Sequence, residues 1–182
     1  MFNRYFAVLF YVVAFLAAGT SGDAFAASKV HFPEAWIHET SGDLSKDMAS
    51  AKAEGKIFAV FWEQEGCHYC QQMHEVNFQI PDIVNYIKAN FYTIQLDMRG
   101  GGRIIDFKGH QMSEADLAHE LQVRGTPTTI FYAEKAGEVA RMPGYGEPVV
   151  FKKVFEYVAE AGYKQQTMVD WIRARLAKEA EG

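Results

Sequence analysis

A continuous apolar segment, KIFAVFWE at residues 56–63, leads almost directly into both cysteines of the chain, Cys67 and Cys70. An apolar run of this length, rich in β-forming residues, is typical of a strand buried on both faces of a parallel sheet. From Cys67 onward the pattern becomes helical, because apolar side chains recur at spacings of four, three and four, at Tyr69, Met73, Val76 and Ile80. The pattern therefore predicts that the C-x-x-C pair lies at the junction between a buried strand and a helix.

The segments around this junction predict an α/β domain. Pro81 can restart a helix at its first turn, and NFYTIQLDM at residues 90–98 is a second strand. The order strand, helix, strand predicts a right-handed βαβ unit with the cysteines at the C-terminal end of the first strand. A further helix is predicted over residues 43–54, with Asp43 as a possible N-cap and Gly55 as its stop.

The second half of the chain adds a hairpin and more helices. The glycine-rich segment GGRIIDFKGHQM at residues 101–112 is interpreted as a short hairpin, and Ser113 with Asp116 opens the next helix as a capping box. TTIFY and EVARM, at residues 128–132 and 138–142, form an antiparallel hairpin, and the remainder is helical. Together these elements predict a central mixed sheet covered by helices on both faces.

The N-terminal residues 1–26 have the pattern of a cleavable signal peptide. Arg4 precedes an apolar stretch at residues 5–18, and Ala24-Phe25-Ala26 offers a cleavage site that would leave residues 27–182 as one mature domain with a C-terminal helical extension. The apolar stretch is shorter than the ~20 residues that cross a bilayer, although an uncleaved N-terminal anchor is the alternative. In either case, the rest of the chain is expected in an export compartment.

Charge and size limit the functions that the mature domain can have. The net charge of −5 provides no electrostatic basis for binding nucleic acid or an anionic membrane. The glycines at 100–102 do not form a phosphate loop, because no Lys-Ser/Thr pair and no G-x-G-x-x-G spacing accompany them. A domain of about 155 residues can bury an adequate core, so the cysteines are not needed to stabilise it.

The cysteine spacing points to redox chemistry. Backbone N–H groups and the helix dipole stabilise a thiolate at the first turn of a helix, which makes Cys67 the predicted nucleophile. Cys70 would resolve the mixed disulfide by attacking the sulfur of Cys67. His68, between them, would either stabilise the thiolate further or simply be solvated.

C-x-x-C pairs also have three other roles in proteins. A structural disulfide would close too small a loop to remove much chain entropy. Attachment of c-type haem requires His after the second cysteine, where the chain has Gln71. Metal binding is the more serious alternative, because Cys67, Cys70, His68 and His74 together could hold zinc or copper(I).

A second motif, RGTPTT at residues 124–129, precedes the predicted hairpin. Pro127 cannot donate a backbone hydrogen bond, so it belongs at the first residue or the edge of a strand. It is either a simple loop proline or the site of a cis Thr126–Pro127 bond that turns a backbone edge toward the cysteines. The residues alone leave both interpretations open.

These motifs together resemble the thioredoxin superfamily, with FW before the pair, C-x-x-C opening a helix, and GTPT further along. The resemblance extends from about Leu44 to Met142. It implies a thioredoxin fold and a thiol-disulfide oxidoreductase that needs no cofactor. It also implies a cis peptide bond between Thr126 and Pro127. The residues that it implies for substrate contact are Thr126, Pro127 and Trp62.

More narrowly, EQEGCHYCQQMHEVNF, LDMRGG and MPGY resemble the periplasmic SoxW-type thioredoxins found with bacterial sulfur-oxidation genes. This resemblance implies a periplasmic enzyme with an accessory place in sulfur oxidation, reduced by a membrane electron carrier of the CcdA or DsbD kind. Its substrates would be disulfide-bearing periplasmic proteins or small thiols. We expect a monomer.

The chain departs from the thioredoxin pattern at two places. Val60 occupies the position of the buried Asp that commonly precedes FW, and Glu63 is the candidate to accept the proton of the second cysteine, unless it is a surface residue at a strand end. His68 and Tyr69 replace Gly-Pro between the cysteines. A reductase is the preferred prediction, with an oxidase or isomerase and a copper- or zinc-binding module as alternatives.

Overall fold

The structure of the protein is a computed structural model that describes residues 31–133 and 137–181. The predicted signal peptide, residues 1–26, lies outside the described residues. Within the described part of the chain, none of the helices has both the length and the apolar character needed to cross a membrane.

The described residues form six helices and six strands, in addition to two short 3₁₀ turns. The helices are α1 (Leu44–Ala53), α2 (His68–Glu75), α3 (Pro81–Asn90), α4 (Glu114–Glu120), α5 (Pro148–Ala159) and α6 (Met168–Ala180). The strands are β1 (Ile57–Glu63), β2 (Phe91–Asp97), β3 (Arg103–Ile105), β4 (Gln111–Ser113), β5 (Thr128–Ala133) and β6 (Gly137–Pro143).

Four strands form a mixed sheet in the order β2-β1-β5-β6. β2 runs parallel to β1, with Asp97 opposite Glu63, whereas β5 is antiparallel to β1, with Thr128 opposite Trp62. The βαβ unit and the antiparallel hairpin predicted from sequence are therefore confirmed. β3 and β4 form a separate two-stranded sheet, as the hairpin predicted for the glycine-rich segment, and Ile105 of β3 also forms an isolated parallel bridge with Asp43.

Side chains bury both faces of this sheet, as the continuous apolar pattern of β1 predicts. One face packs against α2, α3, α5 and α6, in a cluster that includes Phe61, Met73, Ile87, Phe155 and Trp171. The other packs against α1, α4 and the small hairpin, in a cluster that includes Leu44, Val60, Trp62, Ile104 and Leu117. β1 is thus held from both sides, and its C-terminal end is fixed in position.

The predicted helix starts are also found. The side chain of Asp43 accepts hydrogen bonds from the backbone N–H groups of Ser45 and Lys46 at the start of α1. Ser113 accepts one from the N–H of Asp116 at the start of α4. These caps satisfy N–H groups that have no partner within a helix.

The buried face of α2 differs from the apolar stripe in the sequence. Tyr69 and Val76 are 56% and 39% exposed, whereas Cys70, Met73 and His74 are buried. The reason is that the turn from β1 directs Cys70 inward, and this contact fixes the rotation of the short helix. A polar residue, His74, is consequently carried into the interior.

Candidate active site

The two cysteines form a disulfide at the start of α2, with their Cα atoms 5.2 Å apart. Cys67 is the N-cap residue, and its Sγ accepts a hydrogen bond of 3.0 Å from the backbone N–H of Cys70. Gly66 makes the preceding turn with φ of +71°, a conformation that favours glycine. Cys67 keeps 7% of its surface exposed and Cys70 none, so an incoming sulfur can reach Cys67 more easily.

The position of Cys67 supports a reactive sulfur. Unpaired N–H groups and the positive end of the helix dipole lie at the N-terminus of α2, and both stabilise negative charge on a cysteine there. The hydrogen bond from the Cys70 N–H is already directed at Sγ of Cys67. The donor is therefore already in place to stabilise a thiolate that forms on Cys67 when the disulfide is reduced.

Pro127 lies beside the end of β1 that leads into the cysteines. The Thr126–Pro127 peptide bond is cis. Thr128, the residue after Pro127, pairs with Trp62 near the C-terminal end of β1. The Pro127 carbonyl accepts a hydrogen bond of 2.7 Å from the N–H of Gly144, which links the segments before β5 and after β6.

The placement of Trp62 corrects one prediction. Its side chain is fully buried among the apolar residues between the sheet and α1 and α4, so it does not form part of a surface that could contact a substrate. Trp62 is buried because it belongs to a central strand that is covered on both faces. The resemblance in sequence did not indicate this burial. It remains close along β1 to the disulfide and can serve as a fluorescence reporter.

His68 and Tyr69 lie on the outer side of α2. His68 is exposed, with its ring centroid 5.5 Å from that of Tyr69. Tyr69 in turn stacks on Tyr145, with the centroids 6.3 Å apart. His68 is thus exposed to solvent, and the tyrosine pair adds an aromatic surface beside the disulfide.

Glu63 is buried and takes part in a polar network. It is 3% exposed, its Oε1 lies 2.9 Å from Nε2 of His74, and its Oε2 accepts a 3.3 Å hydrogen bond from the side-chain amide of Gln95. Nδ1 of His74 lies 2.9 Å from Oε1 of Glu34. The alternative of a surface glutamate at a strand end is therefore wrong.

Burial alone would lower the pKa of His74, but the hydrogen bonds and negative charges of Glu63 and Glu34 together outweigh it and raise the pKa above its ordinary value. The sequence pattern indicated His74 only as a candidate metal ligand and contained no signal for Glu34 or Gln95. The one local signal is that His74 lies four residues after Cys70, on the same side of α2.

The geometry of His74 also bears on the metal-binding alternative. Both ring nitrogens contact carboxylate oxygens, so neither is directed to complete a site with Cys67 and Cys70. Over residues 31–133 and 137–181, no group of three or more His, Cys, Asp and Glu side chains is arranged to hold a metal ion.

A mixed four-stranded sheet with helices on both faces, a C-x-x-C disulfide at a helix start and a neighbouring cis-proline define a thioredoxin fold. A model of the thioredoxin-like domain matches residues 44–159, and the chain therefore belongs to the thioredoxin-like family.

Solved structures agree with this fold. The chain is similar to a thioredoxin-fold protein from Helicobacter pylori, at 18% identity with a TM-score of 0.61, over 69% of this chain and 85% of that one. It is also similar to a thioredoxin from Thermus thermophilus, at 27% identity with a TM-score of 0.52, over 67% and 86% of the two chains. The search of curated proteins gives no match.

Proposed function

We propose that the protein is a thiol-disulfide oxidoreductase that works as a reductase through Cys67 and Cys70. The observation that carries this proposal is the disulfide at the N-terminus of α2, with Cys67 as the N-cap and the more accessible sulfur of the two. The family and the 27% identical thioredoxin from Thermus thermophilus support the same chemistry.

In the reductase direction the reduced pair supplies two electrons. The Cys67 thiolate attacks one sulfur of a substrate disulfide, which forms a mixed disulfide and releases the first substrate thiolate to take up a proton. Cys70 then loses its proton and attacks Sγ of Cys67. The Cys67–Cys70 bond forms, the bond to the substrate breaks, and the second substrate thiolate leaves with the electron pair.

The compartment and partners belong to the same proposal. The signal-peptide pattern at residues 1–26 supports export to the periplasm, where the oxidised pair would need a membrane electron carrier of the CcdA or DsbD kind. The substrates would be disulfide-bearing periplasmic proteins or small thiols. The resemblance to SoxW-type thioredoxins supports an accessory place in sulfur oxidation.

The catalytic prediction is tested by replacing each cysteine. Cys67→Ser removes the attacking sulfur, so reduction of insulin disulfides with dithiothreitol as electron source should fall to the uncatalysed rate. Cys70→Ser leaves the first attack possible but not the second, so it should accumulate mixed disulfides that are recovered by non-reducing electrophoresis and released by excess dithiothreitol.

The double variant Cys67→Ser/Cys70→Ser is the control for reactions that do not use the pair. Insulin reduction that persists in Cys67→Ser would show that the mechanism is wrong. Absence of trapped substrate in Cys70→Ser, with that variant folded, would remove the resolving role from Cys70.

A further inference from the structure

Two tyrosines beside the disulfide join α2 to the cis-proline segment. Tyr69, between the cysteines, is 56% exposed and stacks on Tyr145, with the ring centroids 6.3 Å apart and the planes at 18°. Tyr145 follows Gly144, whose backbone N–H donates to the carbonyl of Pro127. We call Tyr69 and Tyr145 the tyrosine pair. The pair therefore extends from the cysteine-bearing turn to the cis-proline.

Hydrogen bonds fix the position of Tyr145 within this pair. Its hydroxyl donates a 3.0 Å hydrogen bond to Oδ1 of Asn77, which is fully buried. The amide of Asn77 donates in turn to the carbonyl of Gly146 at 2.9 Å. A ring that is held in this way loses little further freedom when another group packs on it. Tyr145 is thus a preformed support for the exposed ring of Tyr69.

Exposed apolar side chains are concentrated around the tyrosine pair. Among the described residues, the large hydrophobic side chains that are exposed are Tyr69, Val76, Val149, Val150 and Val169. Val76 lies seven residues after Tyr69 and therefore on the same side of α2, and two of the other valines lie in the first turn of α5, shortly after Tyr145. Apolar surface of this kind next to a reactive group indicates a binding surface.

The tyrosine pair supplies the aromatic contact that Trp62 does not. Trp62 is fully buried, so its ring is not accessible to a substrate. Tyrosine rings offer a large contact area and lose little conformational entropy on binding, because the side chain has only two rotatable angles. The aromatic surface next to the disulfide therefore comes from α2 and from the segment after β6, and not from β1.

The surroundings of the tyrosine pair are negatively charged. Glu65 is exposed just before the cysteine-bearing turn, and Glu147 is exposed two residues after Tyr145. Burial, and after it the negative charge of Glu147, raises the pKa of the Tyr145 hydroxyl, so this charge acts on the ring. Within residues 31–133 and 137–181, neither carboxylate has a Lys or Arg at ion-pair distance. His68 adds at most one positive charge, so the surface remains negative and complements a cation.

We propose that the tyrosine pair and these two carboxylates select the substrate, and that the preferred substrate is a polypeptide whose disulfide cysteine is flanked by an aromatic or apolar side chain and by a Lys or Arg. This substrate class rests on the thiol-disulfide oxidoreductase function proposed above. The apolar side chain packs on the rings, and the cation lies against Glu65 or Glu147. A small anionic disulfide such as glutathione disulfide gains neither contact.

The test uses symmetric disulfides of three short blocked peptides, Phe-Cys-Arg, Ala-Cys-Arg and Phe-Cys-Glu. Reduced protein, freed of dithiothreitol, is mixed with an excess of each disulfide, and the released peptide thiol is measured by chromatography after quenching with acid. In each turnover the protein dithiol becomes a disulfide and one peptide disulfide becomes two thiols. Each rate constant is divided by that of the same disulfide with dithiothreitol, which removes differences in the reactivity of the peptide sulfur.

Wild type should show two preferences. The Phe-Cys-Arg disulfide should react about threefold or more faster than the Ala-Cys-Arg disulfide, as expected for one aromatic contact. It should also react about threefold or more faster than the Phe-Cys-Glu disulfide at low ionic strength. The second ratio should fall toward one at high salt, because salt screens charges at the surface.

Substitutions assign each preference to its side chains. Tyr69→Ala, at an exposed position, should abolish the preference for Phe over Ala, whereas Tyr145→Phe, which keeps the ring, should retain it. The double variant Glu65→Gln/Glu147→Gln should reduce the preference for Arg over Glu. Each readout is a ratio between substrates, so a change in the reactivity of the attacking sulfur cancels.

Two variants away from this surface are the matched controls. Val169→Ala removes an apolar side chain on α6 that is 63% exposed, and Glu120→Gln removes an exposed carboxylate on α4, on the other face of the sheet. Both should keep the ratios of wild type. Circular dichroism checks that every variant is folded.

Equal normalised rates for the three disulfides in wild type would overturn the proposal. So would a preference for Phe that persists in full in Tyr69→Ala, or a preference for Arg that persists in full in the double glutamate variant. In each of these cases the protein still reduces disulfides, and the proposed function stands. A wild-type protein that reduces none of the three disulfides would instead remove the proposed function, and the substrate class with it.

Discussion

At the scale of single residues, the buried polar position near the disulfide has moved relative to the thioredoxin pattern. Val60, where a buried Asp is common, is 1% exposed and packs among apolar side chains. A buried carboxylate lies three residues later, at Glu63, and contacts His74 on the cysteine-bearing helix α2. It is retained in the interior because His74 and Gln95 satisfy its oxygens.

The raised pKa of His74 predicts how stability changes with pH. The folded protein binds the imidazole proton more tightly than the unfolded chain does. The contribution of His74 to stability is therefore fully present at pH values below its ordinary pKa of 6.5. This contribution is lost as the pH rises above 6.5 and passes the raised pKa that His74 has in the folded protein. The free energy of unfolding of wild type relative to His74→Gln, measured by urea denaturation of oxidised protein, should therefore decrease from pH 6 to pH 9.

Glu34→Gln, which removes one of the two carboxylates around the imidazole, should make that decrease smaller. Glu75→Gln on the exposed side of α2 is the control. A difference between wild type and His74→Gln that is constant over this pH range would contradict the assignment.

At the scale of elements, one side chain joins the end of α2 to the segment before α5. Asn77 is fully buried, donates a 2.9 Å hydrogen bond to the carbonyl of Gly146 and accepts one of 3.0 Å from the hydroxyl of Tyr145. Since Tyr145 stacks on Tyr69, the same contacts hold the aromatic surface beside the disulfide.

Asn77→Ala should reduce the free energy of unfolding by about 1–3 kcal/mol, because it leaves the partly buried carbonyl of Gly146 and hydroxyl of Tyr145 without their partner. Urea denaturation at constant pH measures the change. Asn85→Ala, at an exposed position in α3, is the matched control and should remain within about 0.5 kcal/mol of wild type. Equal effects of the two substitutions would show that the Asn77 contacts do not stabilise this junction.

At the scale of the whole molecule, the direction of electron flow depends on how strongly the fold stabilises the thiolate of Cys67. A more stable thiolate favours the reduced form and raises the reduction potential. The N-terminus of α2 stabilises the Cys67 thiolate. His68 is exposed to solvent, so water and salt weaken any electrostatic effect of His68 on the sulfur. A modest stabilisation is consistent with the proposed reductase.

We therefore expect a reduction potential near that of thioredoxin, about −270 mV, after equilibration in dithiothreitol or glutathione buffers. Fluorescence of the buried Trp62 can follow the redox state, with the double cysteine variant as the control that shows no change. A value near about −120 mV would identify an oxidant and reverse the proposed direction.

The sequence by itself determined the order of elements, the caps at Asp43 and Ser113, and the C-x-x-C pair at the junction of β1 and α2. These features depend on hydrogen bonds and periodicities that span a few residues, so local patterns contain them. The mixed sheet followed from the strand-helix-strand order of the first half and the antiparallel hairpin of the second.

Only the tertiary structure decided which side of α2 is buried, that Trp62 is enclosed, and that His74 contacts both Glu63 and Glu34. Glu34 and His74 are 40 residues apart, and their contact exists because the N-terminal segment packs against α2 at the end of the sheet. Local sequence patterns do not predict a contact between residues so far apart in the chain. The charge of the site therefore depends on packing between distant segments, whereas its sulfur chemistry depends on a local motif.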